Sequence, residues 1–293
     1  MEDHTKIEPT AALVMIWARE MYGTGSPGRF YSILDLSAGE KMKAECDVAC
    51  PWYNQVTLNR KWMIHRLAGE FIRGADGPCQ VILPAAGKSP LALELLDDHN
   101  DRIRSVIEID ISGMEEKKRL YEKASPEFAG KISCVTADLF DLPGVIEAVR
   151  ETGMYDPALP TVIIPEGISY YIPPSLLSGV IGLFSSPDHR NTVIFDFMLP
   201  CRLVNEDRRK FPKGIWRVIN HDCNPDGTVT YTPEEIEETL KDAGCTRIDL
   251  HSMHFIEKDR TGGNAFFLCV EDGWTVIVEG RLPLSNYHRE CEI

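Results

Sequence analysis

Three carboxylates could act together in this chain of 293 residues, because each one follows a short run of apolar residues. They are Asp110, Asp138 and Glu166. If the runs are parallel strands, their carboxyl ends meet at one edge of a sheet, where open α/β sheets bind ligands. Carboxylates at this edge suit a ligand that carries hydroxyls, an amine and a positive charge, and they would repel a polyphosphate.

A loop of small residues precedes these acids. Residues 84–89 read Pro-Ala-Ala-Gly-Lys-Ser, and such residues let the backbone approach a ligand at the start of a helix. The Gly87-Lys88 pair resembles part of a phosphate-binding loop, but that loop needs a glycine where Ile82 stands. The Gly-x-Gly-x-x-Gly pattern of dinucleotide-binding proteins is also absent. A phosphate-loop enzyme therefore stays a weaker alternative, and it would bind ATP through Lys88.

Strands and helices alternate through the middle of the chain. The predicted strands are residues 80–83, 105–109, 132–136, 161–164 and 192–199. The predicted helices are residues 91–96, 115–123, 145–150 and 175–184. The strands are continuous apolar runs, which is typical of strands that are buried on both faces. The pattern predicts an α/β fold with a doubly wound, mostly parallel sheet.

The two ends of the chain have different patterns. At the amino end, the sequence predicts a helix at 11–20 that begins at an N-cap, Thr10, an irregular segment at 21–51 and a helix at 58–72. At the carboxyl end, it predicts a helix at 233–243 capped by Thr232, then antiparallel strands at 247–253, 265–270 and 275–278. We therefore expect a helical extension on the substrate side at 1–76, and a ligand-binding domain at 77–293 with a lid or acceptor insert around 200–231.

Composition excludes several classes of protein. The 31 Lys and Arg against 45 Asp and Glu give a net charge of −14, which disfavours a nucleic-acid binder. No apolar run reaches the roughly 18 residues that span a bilayer, and the start, Met1 to His4, lacks the basic segment of a secretory signal. The nine cysteines are scattered, without the spacing of metal ligands. We expect a cytoplasmic protein with reduced thiols, no metal site and no membrane partner. Its oligomeric state stays open.

One ligand combines the features that these acids suit. S-adenosylmethionine (SAM) carries a ribose diol, an adenine amine, an amino group and a sulfonium. Asp110 lies 23 residues after Gly87, a separation expected of an acid that binds a ribose. Asp138 can accept a hydrogen bond from the adenine amine while Leu139 packs on the ring.

The chain resembles the leucine carboxyl methyltransferase family, which includes bacterial O-methyltransferases of polyketide-type pathways. The resemblance covers most of the chain and rests on five motifs in order. They are Thr-Ala-Ala-Leu-Val at 10–14 with Ala18-Arg19, the loop at 83–89, Glu-Ile-Asp at 108–110 with Lys117 or Lys118 downstream, Ala-Asp-Leu at 137–139, and Glu-Gly-x-x-x-Tyr at 166–171.

The resemblance implies a SAM-dependent methyltransferase that releases S-adenosylhomocysteine, and it assigns the donor site residue by residue. Arg60 would pair with the SAM carboxylate, Ala85 and Gly87 replace two loop glycines, Glu108 and Asp110 form the ribose motif, Asp138 and Leu139 hold the adenine, and Glu166 faces the amino or sulfonium group. Two departures stand out. Ala85 replaces a glycine, which requires a negative φ there, and Lys88-Ser89 replaces an acidic residue and a threonine.

The methyl acceptor would be a carboxylate or a hydroxyl, on a small molecule or a protein C-terminus. A carboxylate needs no base, whereas a hydroxyl does, and His221 is the candidate base. Tyr171 is the second candidate catalytic residue, and together with Tyr170, Trp216 and Phe211 it is expected to line an apolar acceptor pocket.

Three alternatives stay open at this stage. The enzyme could methylate nitrogen or carbon, or the chain could be a catalytically silent domain that binds SAM or a partner.

A basic cluster in the insert is expected to be a solvated face or to guide an anionic acceptor. The cluster comprises Arg202, Arg208, Arg209, Lys210 and Lys213.

Overall fold

The computed structural model describes residues 4–186, 190–224 and 227–282. Residues 1–3, two residues of the predicted insert, and Cys291 near the end of the sequence lie outside these ranges. The main strands are β3 (Cys79–Pro84), β4 (Ile103–Asp110), β5 (Ile132–Thr136), β6 (Thr161–Ile163), β7 (Asn191–Met198), β8 (Ile248–Ser252) and β9 (Thr275–Leu282). Two short strands, β1 (Thr5–Lys6) and β2 (Leu34–Asp35), pair in parallel elsewhere.

Within the described residues, eleven α-helices surround the sheet. The amino-terminal helices are α1 (Pro9–Trp17), α2 (Gly25–Ser32), α3 (Ser37–Ala49) and α4 (Tyr53–Gly74). The helices between the parallel strands are α5 (Leu91–His99), α6 (Met114–Ala124), α7 (Leu142–Glu151) and α8 (Pro174–Gly182). The remaining helices are α9 (Lys210–Cys223), α10 (Pro233–Asp242) and α11 (Met253–Thr261).

The seven main strands form one sheet in the order β5-β4-β3-β6-β7-β9-β8. All neighbours are parallel except that β9 runs antiparallel to both β7 and β8. The chain builds outward from β3 to β5 and then returns to β6 on the other side of β3. The fold class predicted from the sequence is confirmed, and the reversal beside β3 opens a crevice at the carboxyl ends of β3 and β6.

The sheet is covered by helices on both faces. All six residues of β3 are buried, and successive residues belong to different cores because strand side chains alternate between faces. Val81 and Leu83 pack with the amino-terminal helices, whereas Ile82 packs with α7, α8 and α10. The amino-terminal helices therefore share one continuous core with the sheet. The domain boundary at residue 76 stays a prediction.

Three predicted elements are wrong. Helix α1 has Glu8 at its N-cap and Pro9 at its first position, because a proline has no N–H that would be left unpaired there. The segment at 21–51 contains α2 and α3, and α3 packs so closely on α1 that a Cβ at Gly39 would lie 2.6 Å from the backbone nitrogen of Leu13. Gly39 is therefore required by this helix contact.

The third wrong element is the predicted strand at 265–270. Side-chain carboxylates bind this backbone in place of a neighbouring strand. Glu257, on α11, accepts the N–H groups of Phe266 and Phe267, and Asp272 accepts those of Leu268 and Cys269. The segment therefore needs no strand partner. Thr232 does cap α10, in a reciprocal capping box with Glu235.

Candidate active site

A cavity of about 560 Å³ lies at the carboxyl edge of β3 and β6. Its walls come from the loop at 84–89, from α1, from α4 and from the segment that follows β6. Much of the lining is apolar, including Val14, Met15, Leu83 and Ile164. The ends of β3, β4 and β6 therefore meet at this edge as predicted, the end of β5 is not part of the lining, and α1 adds a wall of its own.

Charges of both signs meet in the lining of this cavity. One Glu166 oxygen lies 3.1 Å from Arg60 Nη2 and 3.2 Å from Lys61 Nζ. Both cationic side chains are buried. Burial raises the pKa of Glu166, but Lys61 and Arg60 outweigh burial and hold that pKa below its ordinary value. The site thus complements a zwitterionic amino-acid group.

Asp196, on β7, holds this cluster in place through Arg60. It was not predicted from the sequence. It is fully buried, and its two carboxylate oxygens accept hydrogen bonds from Arg60 Nη1 at 3.4 Å and from the Gly167 N–H at 2.7 Å. Arg60 Nη1 also donates to the Tyr170 hydroxyl at 3.1 Å. A charged residue inside an apolar strand was a signal that could have identified Asp196, since buried acids need partners. Nothing in the sequence indicated Lys61.

Asp110 fixes the loop of small residues to the end of β4. Its carboxylate accepts the N–H of Gly87 at 2.8 Å and that of Ile111 at 2.8 Å. Gly87 has a φ of +47°, which suits glycine. Ala85 has a φ of +54°, so it does not adopt the negative φ that the sequence analysis required of an alanine. The loop therefore has its left-handed backbone without the glycine, at a cost of about 1–2 kcal/mol.

Lys88 ties this loop to the next strand end. Its buried ammonium lies 2.8 Å from a carboxylate oxygen of Glu116 and donates to the Gly113 carbonyl at 2.9 Å. Both partners lie at the start of α6. The ammonium is therefore a structural contact between two loops, and this arrangement does not support the phosphate-loop alternative.

Four of the predicted donor residues line the cavity and four do not: Arg60, Ala85, Gly87 and Glu166 are in its lining, whereas Glu108, Asp110, Asp138 and Leu139 are not. Glu108 is the most deeply buried of the four that are not. Its side chain is fully buried, 2.9 Å from Lys117 Nζ, and it accepts a hydrogen bond from the Tyr121 hydroxyl at 2.9 Å. Lys117 in turn donates to the carbonyl of Ala86 at 3.2 Å. Through Lys117, Glu108 supports the loop at Ala86, and its prediction as a ligand contact is not supported by this geometry.

The two residues predicted to hold the adenine follow β5 and are not part of the cavity lining. Asp138 is exposed and accepts the N–H of Phe140, while Leu139 is buried in the core. Two large apolar side chains that the sequence analysis missed stand beside them, Ile111 at 64% and Phe140 at 70% exposure. Exposed apolar side chains at a ligand edge are typical of residues that a ligand covers.

A second, smaller cavity of about 50 Å³ adjoins the first. Arg60, Tyr170 and Tyr171 line both cavities. Trp216, on α9, lines the smaller one, as the sequence predicted for an acceptor pocket. Phe211 instead packs against Trp52, with ring centroids 5.1 Å apart.

His221 lies on an exposed part of α9 and lines neither cavity. Trp216 and Ile219 of the same helix line the smaller cavity. Because a helix has about 3.6 residues per turn, the side chain at position 221 lies on a different side of α9 from these two. The structure therefore does not bring the candidate base to the site.

The basic cluster is partly tied into the structure. The Arg208 guanidinium lies 3.5 Å from Asp272 and above the ring of Trp52, and Arg209 donates to the carbonyl of Val204. Guidance of an anionic acceptor by this cluster stays a prediction.

Over the ranges that the structure covers, no helix is long and apolar enough to cross a membrane, and no group of three or more His, Cys, Asp or Glu is placed to hold a metal ion.

Solved structures share this architecture. A candidate methyltransferase from Thermobifida fusca has a TM-score of 0.66 at 16% identity, over 94% of this chain and 96% of its own. A DUF574 family protein from Streptomyces avermitilis has a TM-score of 0.66 at 13% identity, over 94% and 98% of the two chains. An O-methyltransferase family protein from Burkholderia thailandensis has a TM-score of 0.51 at 14% identity, over 92% of this chain and 63% of its own. These likenesses establish the fold.

No curated protein has a sequence that matches this chain. The sequence model of the family described as "Leucine carboxyl methyltransferase" matches residues 27–183, which is more than half of the chain and includes the loop and the strand ends described above. The chain therefore belongs to the leucine carboxyl methyltransferase family of SAM-dependent methyltransferases.

Proposed function

We propose that this enzyme transfers the methyl group of SAM to an oxygen of its acceptor, a carboxylate or a hydroxyl on a small molecule or a protein C-terminus. The observation that carries the donor site is the cluster of Arg60, Lys61 and Glu166 in the larger cavity. The two cations complement a carboxylate, and the glutamate complements an amino group. SAM ends in just such an amino acid.

The remaining residues fit the rest of the donor. The cavity volume of about 560 Å³ falls in the range of small-molecule sites, about 300–1,000 Å³. Asp110 uses each carboxylate oxygen for one backbone N–H, and a carboxylate offers about four acceptor positions. It therefore keeps capacity for the ribose hydroxyls. We assign the adenine amine to Asp138, and the faces of the ring to Ile111 and Phe140.

When it is bound, SAM supplies a methyl group on a positively charged sulfur. The protein contributes orientation and a dry site, which are large effects when reacting atoms must be aligned. Asp196 and Tyr170 hold the Arg60 guanidinium, and Asp196 also holds the turn at Gly167. These contacts fix the two ends of the charged cluster. Apolar side chains of α1 cover it on the other side.

Replacement of Glu166 tests the donor site. Glu166→Gln removes the partner of the donor's amino group, so we expect S-adenosylhomocysteine to bind at least about tenfold more weakly, since a hydrogen bond to a charged group contributes about 1.5–3 kcal/mol. Adenosine lacks the amino acid and should bind as before. Asp110→Asn should weaken both ligands. Isothermal titration calorimetry measures the affinities, and circular dichroism checks the fold.

Glu237→Gln is the matched control, because Glu237 forms an exposed ion pair with Lys241 on α10, away from the cavity. Equal losses of adenosine and S-adenosylhomocysteine in Glu166→Gln would contradict the assignment. Transfer of labelled methyl groups to oxygen, nitrogen or carbon acceptors then separates O-methylation from its alternatives, and binding without transfer would identify a silent domain.

A further inference from the structure

A third cavity, of about 620 Å³, lies at the amino edge of the sheet, opposite the candidate active site. We call it the amino-edge cavity. Its walls come from the end of α4, from the turns that precede β3 and β6, and from the strands β8 and β9. Its volume falls in the range of small-molecule sites, about 300–1,000 Å³. The lining shares no residue with that of the donor cavity, so a ligand here would be separate from the donor.

Two pairs of like charges stand opposite each other across β8 and β9 in this cavity. Asp249 lies directly opposite Glu279 in the register of the two strands. Arg247 lies opposite Arg281, because the Arg281 N–H donates to the Arg247 carbonyl at 2.9 Å and the Thr246 N–H donates to the Arg281 carbonyl at 3.0 Å. The two pairs share one face of the sheet and line the cavity together. Like charges that are directly opposite destabilise a strand pair, so strand pairing does not explain this arrangement.

One charge of each sign in this set has no partner. Arg247 is paired with Asp249 at 2.9 Å. The Arg281 guanidinium and the Glu279 carboxylate make no hydrogen bond or ion pair with any residue that the structure describes. Both side chains are half-buried, and burial raises the pKa of Glu279 although Arg281 opposes this shift. Partly desolvated charges without partners are costly, so each favours a ligand group of the opposite sign.

The other charged residues of this lining are paired, used by the backbone or solvated. Glu70 is paired with Arg66 at 2.9 Å, Arg190 donates to the carbonyl of Ala158, and Asp76 is exposed to water. The two half-buried charges that remain both belong to β9. They are two residues apart, which is about 7 Å along a strand.

We propose that the amino-edge cavity binds a small amphoteric molecule, an ω-amino carboxylate, with its carboxylate on Arg281 and its ammonium on Glu279. A guanidinium presents parallel donors that match a carboxylate, and a carboxylate accepts the N–H groups of an ammonium. The spacing on β9 asks for charges that are about 7 Å apart, so an α-amino acid is too short. Phe71, Leu159 and Pro160 supply an apolar wall for the methylene chain.

6-Aminohexanoate is the probe, because a chain of methylene groups separates its two charges. We expect a dissociation constant on the order of 1 mM. Hexanoate and hexylamine lack one charge, and glycine lacks the spacing, so each should bind at least about tenfold more weakly. Ligand-observed NMR titrations measure these affinities.

Glu279→Gln and Arg281→Gln should each weaken the binding of 6-aminohexanoate about tenfold, because each removes one charged contact. Glu237→Gln and Arg150→Gln are the matched controls, since neither residue lines this cavity. Circular dichroism checks that all four variants are folded.

S-adenosylhomocysteine should not displace 6-aminohexanoate, and Glu166→Gln should leave its affinity unchanged, because the donor cavity lies at the other edge of the sheet. Failure of 6-aminohexanoate to bind, displacement by S-adenosylhomocysteine, equal affinity for any of the three smaller or singly charged probes, or equal binding to the β9 variants and their controls would each overturn the proposal. Failure of S-adenosylhomocysteine itself to bind would instead overturn the proposed function.

Discussion

Ala85 is, among the described residues, the single non-glycine with a positive φ. It stands where the chain leaves β3 and turns along the wall of the donor cavity. Strain of this kind persists only when its surroundings hold the backbone in place. Here the N–H of Ala86 donates to the carbonyl of Ile109 and that of Gly87 to Asp110. The end of β4 thus imposes the shape of the loop.

Ala85→Gly should therefore stabilise the protein. Removal of the Cβ relieves about 1–2 kcal/mol of left-handed strain. The greater freedom of glycine in the unfolded chain opposes this gain and costs about 0.5–1 kcal/mol of stability. We expect the free energy of unfolding to rise by about 0.5–1 kcal/mol in urea denaturation. Ala86→Gly is the control. Ala86 has no positive φ, so glycine relieves no strain there, and the free energy of unfolding should fall by about 0.5–1 kcal/mol. A loss of stability in both variants would contradict the strain argument.

At the scale of elements, the site depends on contacts between loops that belong to different strands. Lys88 joins the loop after β3 to the start of α6, and Lys117 joins α6 to the same loop through Ala86. These two lysines surround the backbone that would face the donor. Their positive charges are used for structure, since each one is paired with a glutamate.

Lys88→Met tests this connection. It leaves the Gly113 carbonyl and Glu116 without their partner, so we expect a loss of about 1–2 kcal/mol in the free energy of unfolding and a several-fold weaker affinity for S-adenosylhomocysteine. Lys118→Met, on an exposed turn of the same helix, should change stability by less than about 0.5 kcal/mol. ATP that binds the wild type and not Lys88→Met would instead revive the phosphate-loop alternative.

The sequence predicted the elements that depend on burial, and it failed where tertiary contacts decide. The five parallel strands were found because they are continuous apolar runs, and their ends led to Asp110, which binds the loop, and to Glu166, which lines the cavity. The segment at 265–270, which was wrongly predicted as a strand, is apolar too. Its backbone N–H groups donate to the side chains of Glu257 and Asp272 and not to a neighbouring strand. Lys61 became part of the site only through the packing of α4, which no local pattern indicated.

At the scale of the whole molecule, buried ionisable groups couple the site to pH. Glu94, in the first turn of α5, has an oxygen with no partner among the described residues. Burial raises its pKa from 4.5 to about 7, Lys61 opposes this shift, and Glu166 and Asp98 add to it. The folded protein therefore keeps a proton between pH 4.5 and 7 that the unfolded chain releases.

The stability that this proton confers is complete below pH 4.5 and is lost as the pH rises towards 7, on the order of 3 kcal/mol at most. Glu94→Gln stays neutral, so it should become more stable relative to the wild type as pH rises. Histidines with lowered pKa, such as His65 and His251, give the opposite slope in both proteins. Denaturation of both proteins at pH 5, 6, 7 and 8 isolates Glu94. A constant difference would contradict the raised pKa.

Arg60 lies in the wall between the two cavities of the candidate active site, and this has a consequence for kinetics. A guanidinium that is restrained from one side has less freedom to lose when the other side is filled. A ligand in either cavity should then raise the affinity of the other cavity for its own ligand, by the same factor in both directions. Double-reciprocal initial-rate plots for the two substrates would intersect to the left of the ordinate and above the abscissa, and a dead-end inhibitor that competes with one substrate would bind best when the other is already present.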